Sequence, residues 1–342
     1  MSDIITERNG GILRIELNRP DKKNALTAAM YTHLAEIFNE AAKDDETRVV
    51  LWHAAGATFS AGNDLGDFRN NPPTPGNFPQ GLLMDAFIKF EKPIVAAVQG
   101  AAIGGGTTML THCDFVYAGE STRFQVPFIN LALVPEFGSS FSIPASVGHL
   151  RAAELYLLGE PFTAAHAAEL GLVTRVVPDT DLLTTATATA QKLAAQPGGA
   201  LRASKRLLKQ ASIGPLKEAI KSESQEFMAR LTSAEAKEAF SAFFEKRPPN
   251  FRKSRTHVAA EYPVLAAIDG RRVEPGVVSP RRQVEMRGAE MKDVLSVVTF
   301  VIGSLCFVLF LITMKPDAPS PITGTEQARA LQNAGFPCAG MP

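Results

Sequence analysis

Apolar and polar positions alternate along Ile12–Leu17, the pattern of a half-buried strand, and Asn18, Arg19 and Pro20 end it in a loop. From Thr27 onward the apolar residues Met30, Leu34, Ile37, Phe38 and Ala41 recur at helical spacing, with Thr27 placed to cap the helix. Residues 49–52 and Ile94–Val98 are short, continuous apolar runs that suit strands buried on both faces. Strands alternating with helices predict an α/β architecture. Residues 70–81 are rich in Pro, Asn and Gly and predict a loop beside whatever the adjoining segments bind.

The second half changes period. Residues 182–195, 201–211 and 216–244 read mainly as helices, and in the last of these Ile220, Phe227, Leu231, Phe240 and Phe244 fall on one side. Such a face needs a cover, either the core or another subunit. After Arg247, Pro248 and Pro249 the chain becomes basic and is punctuated by Gly and Pro, as expected of a linker over 252–292. Residues 294–314 then run without a charge, between Lys292 and Asp293 on one side and Lys315 and Asp317 on the other. That length matches a bilayer core, so 293–314 is expected to form a transmembrane helix, followed by a polar tail over 315–342.

Composition narrows the function. Thirty-five basic residues balance thirty-five acidic ones, so no overall field draws the chain to nucleic acid, and no such partner is expected. Cys113, Cys306 and Cys338 are too few and too scattered for a disulfide scaffold or a zinc site, which fits a reducing compartment. The first eleven residues lack the apolar run of a secretory signal. Together these predict a cytoplasmic catalytic domain anchored to a membrane by the C-terminal helix. No two of the six histidines have ligand spacing, and no metal is expected. Asp114, beside Cys113, reads as a structural loop residue.

Three segments carry the chemistry: residues 57–65 (ATFSAGNDL), 100–110 (GAAIGGGTTML) and 124–140 (FQVPFINLALVPEFGSS). Gly104, Gly105 and Gly106 allow close backbone approach to a ligand and precede a helical stretch whose first N–H groups are free. The run equally suits tight packing alone. It lacks the Gly-Lys-Ser/Thr ending of a phosphate-binding loop and the Rossmann glycine spacing.

Asn18-Arg19-Pro20 with Asn24-Ala25-Leu26, then Ser60-Ala61-Gly62-Asn63-Asp64-Leu65, then Gly100 with Gly104-Gly105-Gly106, resemble the successive signatures of the enoyl-CoA hydratase/isomerase (crotonase) family. The resemblance runs from about residue 4 to 251. It implies a crotonase-like ββα spiral core over 1–200, a C-terminal helical, oligomer-forming region over 201–251, and assembly as a homotrimer or dimer of trimers. It also implies an acyl-CoA thioester substrate and no separate cofactor, coenzyme A being part of the substrate. The backbone N–H groups of Ala61 and Gly105 match the family's oxyanion donors. Lys22, Lys23, Ala25, Asn63, Asp64, Leu65, Ile103, Gly104 and Phe128 fall where the family lines its coenzyme A and acyl site, although a solvated turn explains the two lysines as well.

The departures from the family pattern say more. Its hydratases use two glutamates to activate water, at positions held here by Thr108 and Phe128. Neither serves as a carboxylate base. Pro135-Glu136-Phe137-Gly138-Ser139-Ser140 instead resembles the Pro-Glu-x-x-Ser-Ser segment of delta3,delta2-enoyl-CoA isomerases, in which one glutamate shuttles a proton. That implies Glu136 as the base. The competing reading of Glu136 is a surface or helix-capping carboxylate. Apolar neighbours at Phe128, Leu131, Leu133, Val134 and Phe137 are expected to desolvate Glu136 and raise its pKa. The expected activity is isomerisation of 3-enoyl-CoA to 2-enoyl-CoA in fatty acid oxidation; the alternatives are an enoyl-CoA hydratase or another crotonase-family acyl-CoA enzyme, and a non-catalytic, membrane-tethered acyl-CoA-binding module.

Overall fold

A computed structural model describes residues 2–71, 74 and 78–252. Among the described residues nine strands, β1 (Ile4–Asn9), β2 (Ile12–Leu17), β3 (Val49–Ala54), β4 (Ile94–Val98), β5 (Ala101–Ile103), β6 (Phe115–Gly119), β7 (Arg123–Gln125), β8 (Phe162–Thr163) and β9 (Arg175–Val177), form two sheets. The larger has the order β1-β2-β3-β4-β6-β9, and the smaller β5-β7-β8. In the larger sheet β1 pairs antiparallel with β2, and every later pair is parallel. Parallel strands need covering on both faces, which explains why every residue of β3 and of β4 is buried.

Alternation along the strands sorts the side chains between two layers. Leu13, Ile15, Val50 and Trp52 face helices α1 (Ala28–Lys43) and α3 (Pro79–Lys89), where Phe38, Phe87 and Phe90 pack edge-on around one another. Ile12, Val49, Leu51, Val95 and Tyr117 face α8 (Leu182–Ala194) through its buried Leu182, Ala186 and Ala190. The Thr27 hydroxyl accepts from the Met30 N–H and caps α1 as its pattern predicted.

Short helices fill the connections: α2 (Leu65–Asn70), α4 (Gly105–Thr108), α5 (Ser139–Val147), α6 (His149–Ala153) and α7 (Ala164–Glu169). The described part ends in α9 (Gly198–Leu231) and α10 (Ala234–Phe244). The sequence pattern divided this region near 212–215, whereas α9 runs on through Pro215. Proline takes the partner from the carbonyl four residues earlier, and Ala211 is exposed, so water can solvate that group. The actual break comes at Ser233, whose hydroxyl caps α10 by accepting from Ala236 N–H. Of the predicted apolar face, Phe227 is buried against Phe68 and Phe240 packs on the same ring, while Phe244 stays partly exposed beneath the Arg69 guanidinium.

The expected membrane anchor is dropped from the fold, and with it the anchored localisation. Among the described residues no helix is long and apolar enough to cross a membrane. The longest, α9, carries Arg202, Lys205, Arg206, Lys209, Lys217, Glu218, Lys221 and Glu223, so charge interrupts every stretch of bilayer length. The expected span at 293–314, with its linker and tail, lies outside the described residues.

Candidate active site

The segment after β3 is stitched between two neighbours. Phe59 and Ser60 donate to the Gln99 and Ala101 carbonyls, and Ile103 N–H returns to Ser60 O at 2.9 Å. On the other side, Leu26 N–H donates to Gly62 O and Asp64 N–H to Leu26 O, so Leu26 and Asn63 form a parallel bridge. In such a bridge the residue between the two bonded groups turns its own N–H the opposite way. Asn63 N–H therefore points away from the 24–26 segment and has no acceptor among the described residues. Gly105 N–H, at the start of α4, also has none.

Ala61 behaves differently. Its N–H donates to Lys23 O at 2.9 Å, so it is already committed and unavailable to a substrate oxygen. The expected pair of donors is corrected by two residues: Asn63 and Gly105 hold the free groups. Gly62 makes this possible. It sits at φ 81°, and a Cβ there would lie 2.5 Å from Ile103 O and 3.5 Å from Gly105 N, so the two free amides flank a point that only glycine leaves open.

One cavity of about 740 Å³ gathers all the residues expected to line the substrate site: Lys22, Lys23, Ala25, Asn63, Asp64, Leu65, Ile103, Gly104 and Phe128, together with Ala61 and Gly105. Lys22 and Lys23 are exposed at a turn that buried Asn24 holds, its amide donating to Ala55 O and Thr58 O. Asp64 lines the cavity, but its oxygens accept from Arg19, Gly66 and Asp67, so its work is to start α2 and fix the loop. Phe243 of α10 closes one wall, a contribution that the helical pattern did not single out.

Glu136 stands behind the Gly105 side of the cavity and is only 4% exposed. A Cβ on Gly105 would be 3.0 Å from its Oε1, so the carboxylate lies against the glycine backbone. The Asn63 amide donates to the same oxygen at a long 3.4 Å and accepts from the Tyr31 hydroxyl at 2.7 Å. Burial, then the charge of Glu223, push the Glu136 carboxyl up to about 8, against the opposing effect of the Asn63 bond. Neither carboxylate forms an ion pair with a basic group among the described residues. The next residue, Phe137, is fully buried at φ 60°, a conformation that costs a non-glycine residue on the order of 1 kcal/mol or more.

The positions of the hydratase glutamates hold no acid. Thr108 is fully buried, with its hydroxyl turned to Gly104 O, and Phe128 packs against Tyr156. Sequence reasoning missed Asn63 as the bridge to Glu136, as well as Tyr31 and Glu223. The first was readable as the polar residue next to Gly62; the other two come from distant helices and had no local signal. Asp114 is structural, as expected: it accepts from Ile94 N–H and from Lys205.

Comparison with known proteins agrees with this geometry. The enoyl-CoA hydratase/isomerase family model matches residues 7–254. The chain is 35% identical over 256 residues to an enoyl-CoA hydratase of Mycobacterium tuberculosis, a match covering 73% of this chain and 96% of that protein. It is 34% identical over 251 residues to enoyl-CoA delta isomerase 2 of Rattus norvegicus, covering 72% of this chain and 64% of that protein. The crystal structure of an enoyl-CoA hydratase/isomerase from Pseudoalteromonas atlantica T6c matches with a TM-score of 0.70 at 41% identity, over 73% of this chain and 100% of that one. A cavity walled by two unclaimed backbone amides, with a buried carboxylate behind them, in a chain so matched, makes this protein an enzyme of the enoyl-CoA hydratase/isomerase family.

Proposed function

We propose that the chain isomerises 3-enoyl-CoA to 2-enoyl-CoA, with Glu136 as the single proton shuttle. The observation that carries this reading is the placement of carboxylates: one, Glu136, is buried against Gly105, while the two positions a hydratase needs hold Thr108 and Phe128. Water addition needs one group to activate the water and another to protonate carbon. Isomerisation needs only one group that takes and returns the same proton.

The thioester carbonyl oxygen sits between the Asn63 and Gly105 N–H groups. The Glu136 carboxylate removes a proton from C2, and the electrons of that C–H bond move through C2 into the carbonyl, giving a dienolate with its charge on the oxygen between the amides. Those donors favour the charged state over the neutral thioester. The dienolate then takes the proton back from Glu136 at C4, the C2–C3 double bond forms, and the carboxylate is restored. An apolar surround from Phe128, Leu133 and Phe137 keeps water from the dienolate. The coenzyme A end occupies the part of the cavity bordered by Lys22 and Lys23, at its exposed rim.

Product analysis with 3-enoyl and 2-enoyl thioesters tests the proposal. Conversion of the 3-enoyl compound to the 2-enoyl one, with hydration much slower, is expected. Steady formation of 3-hydroxyacyl product at a comparable rate would overturn it in favour of a hydratase.

A further inference from the structure

Glu223 is a buried carboxylate that no step above uses. It comes from α9, 85 residues downstream of the turn it touches, and is 6% exposed. Its Oε2 accepts from Gly138 N–H and its Oε1 from Ser140 N–H, both at 2.7 Å. Those amides belong to the turn that leads from Glu136 into α5, in which Phe137 and Gly138 both have positive φ.

The turn is held from two sides. α9 lies directly on it: a Cβ at Gly138 would meet Leu216 Cδ1 at 2.3 Å and Ile220 Cγ1 at 3.1 Å. Opposite, the Phe137 carbonyl is 2.8 Å from His112 Nε2. The amides at a helix start would otherwise stabilise a nearby carboxylate. Glu136 immediately precedes them, and Glu223 has claimed two. An ordinary helix-capping role for Glu136 is thus replaced by one in which the long Asn63 bond is the hydrogen bond its carboxylate receives.

We propose that Glu223 is the positioning residue of the proton shuttle: its carboxylate clamps the strained turn that aims Glu136 and sets a second buried negative charge behind that turn. The proposal rests on the reading of Glu136 as the base. The titratable groups around Glu136 are Tyr31 from α1, Tyr156 from the stretch after α6, His112 and Glu223. Burial drives both tyrosines toward the neutral phenol and lowers His112 to about 4, so none supplies a positive charge near neutral pH. Glu223 is itself raised by burial, against the pull of its Gly138 and Ser140 bonds, and those two amides favour its ionised form over that of Glu136.

The test is the pH dependence of kcat/KM and of kcat for 3-enoyl-CoA isomerisation in the full chain, comparing native protein with E223Q, E223D and E136Q. In E223Q the charge is gone, and the alkaline-rising limb is expected to shift to lower pH by about one unit. The plateau kcat should fall while KM stays close to native. In E223D the charge remains but both amides cannot be reached together, so the midpoint is expected to stay while kcat falls. A uniform loss at every pH in E223Q, with its midpoint unmoved, would make Glu223 a structural brace and overturn the proposal. If E223Q does not fold, E223M, which also removes the charge at similar volume, is read in the same way: a limb shifted to lower pH supports the proposal and an unmoved midpoint overturns it. Turnover retained in E136Q would instead overturn the base assignment itself, whatever the Glu223 variants do.

Discussion

Two clusters of buried charge among the described residues are built in opposite ways. Between α9 and the sheet, the Lys205 ammonium is 2.7 Å from Lys92 O and 2.6 Å from an Asp114 carboxylate oxygen, while Lys92 donates to the Ala41 and Asp44 carbonyls. Lys205 and Lys92 both meet oxygen, and Asp114 in turn receives Ile94 N–H, so these three side chains tie α9, α1 and the edge of β4 together. Behind the cavity wall, Glu136 and Glu223 are both buried and both negative when ionised, and the backbone beside them is held at positive φ. The first arrangement is what stability alone selects. The second is an arrangement that stability alone would remove, and groups of that kind concentrate where chemistry is done.

Removing a carboxylate from the second place should therefore cost rate and removing a cation from the first should cost stability. The largest expected effect is in Glu136→Gln, which keeps the side-chain shape without the basicity. Isomerase turnover should fall by about 10²- to 10⁴-fold, measured by conversion of a 3-enoyl thioester, while binding of an acyl-CoA followed by calorimetry persists. Next comes Gly62→Ala. Its Cβ would press on Ile103 O at 2.5 Å and its backbone would be strained, so the two free amides lose their common aim and kcat should drop roughly 10²-fold in the same assay.

Lys205→Met attacks the other region. It leaves Asp114 without its cation and is expected to lower stability by about 2–3 kcal/mol, below the upper end for a buried pair because the Asp114 side chain is 25% exposed. Denaturant unfolding reads this change. Turnover per folded molecule should be unaltered.

The smallest effect is a pH dependence of stability. Because the Glu136 carboxyl is raised to about 8 in the folded protein, the native state keeps a proton that the unfolded chain releases in the ordinary carboxylate range. That contribution is fully present below the unfolded pKa and is lost as pH rises toward 8. Glu136→Gln has no such loss, so at pH 9 it should be more stable than native, with the difference shrinking toward pH 5. Thermal unfolding across that range decides the sign.

How far the sequence reveals all this depends on how local each signal is. β2, β3, β4 and α1 were readable because burial on two faces or one leaves a periodic apolar trace within a few residues. The residues that line the cavity were named from the resemblance to the enoyl-CoA hydratase/isomerase family, and no periodicity of their own marked them. The boundary between α9 and α10 was not, because the pattern charges Pro215 its full helix-breaking cost and cannot see that the orphaned carbonyl faces water. The shift of the free amide from Ala61 to Asn63 was hidden as well. It depends on which side of a parallel bridge each N–H faces, and the partner strand is 37 residues away in sequence. Glu223 lay further still from any local trace, since only the packing of α9 on the Phe137–Gly138 turn brings it to Glu136.

The central claim is that one desolvated carboxylate moves the proton, and the pH profile of kcat/KM for 3-enoyl-CoA to 2-enoyl-CoA conversion tests it most directly. A base works in its ionised form, so the account predicts a rate that climbs about tenfold per pH unit on the acid side and levels off above a midpoint near 8, and predicts that the limb and the turnover vanish together in Glu136→Gln. A midpoint in the ordinary carboxylate range, or a Glu136→Gln variant that keeps the native profile, would contradict it.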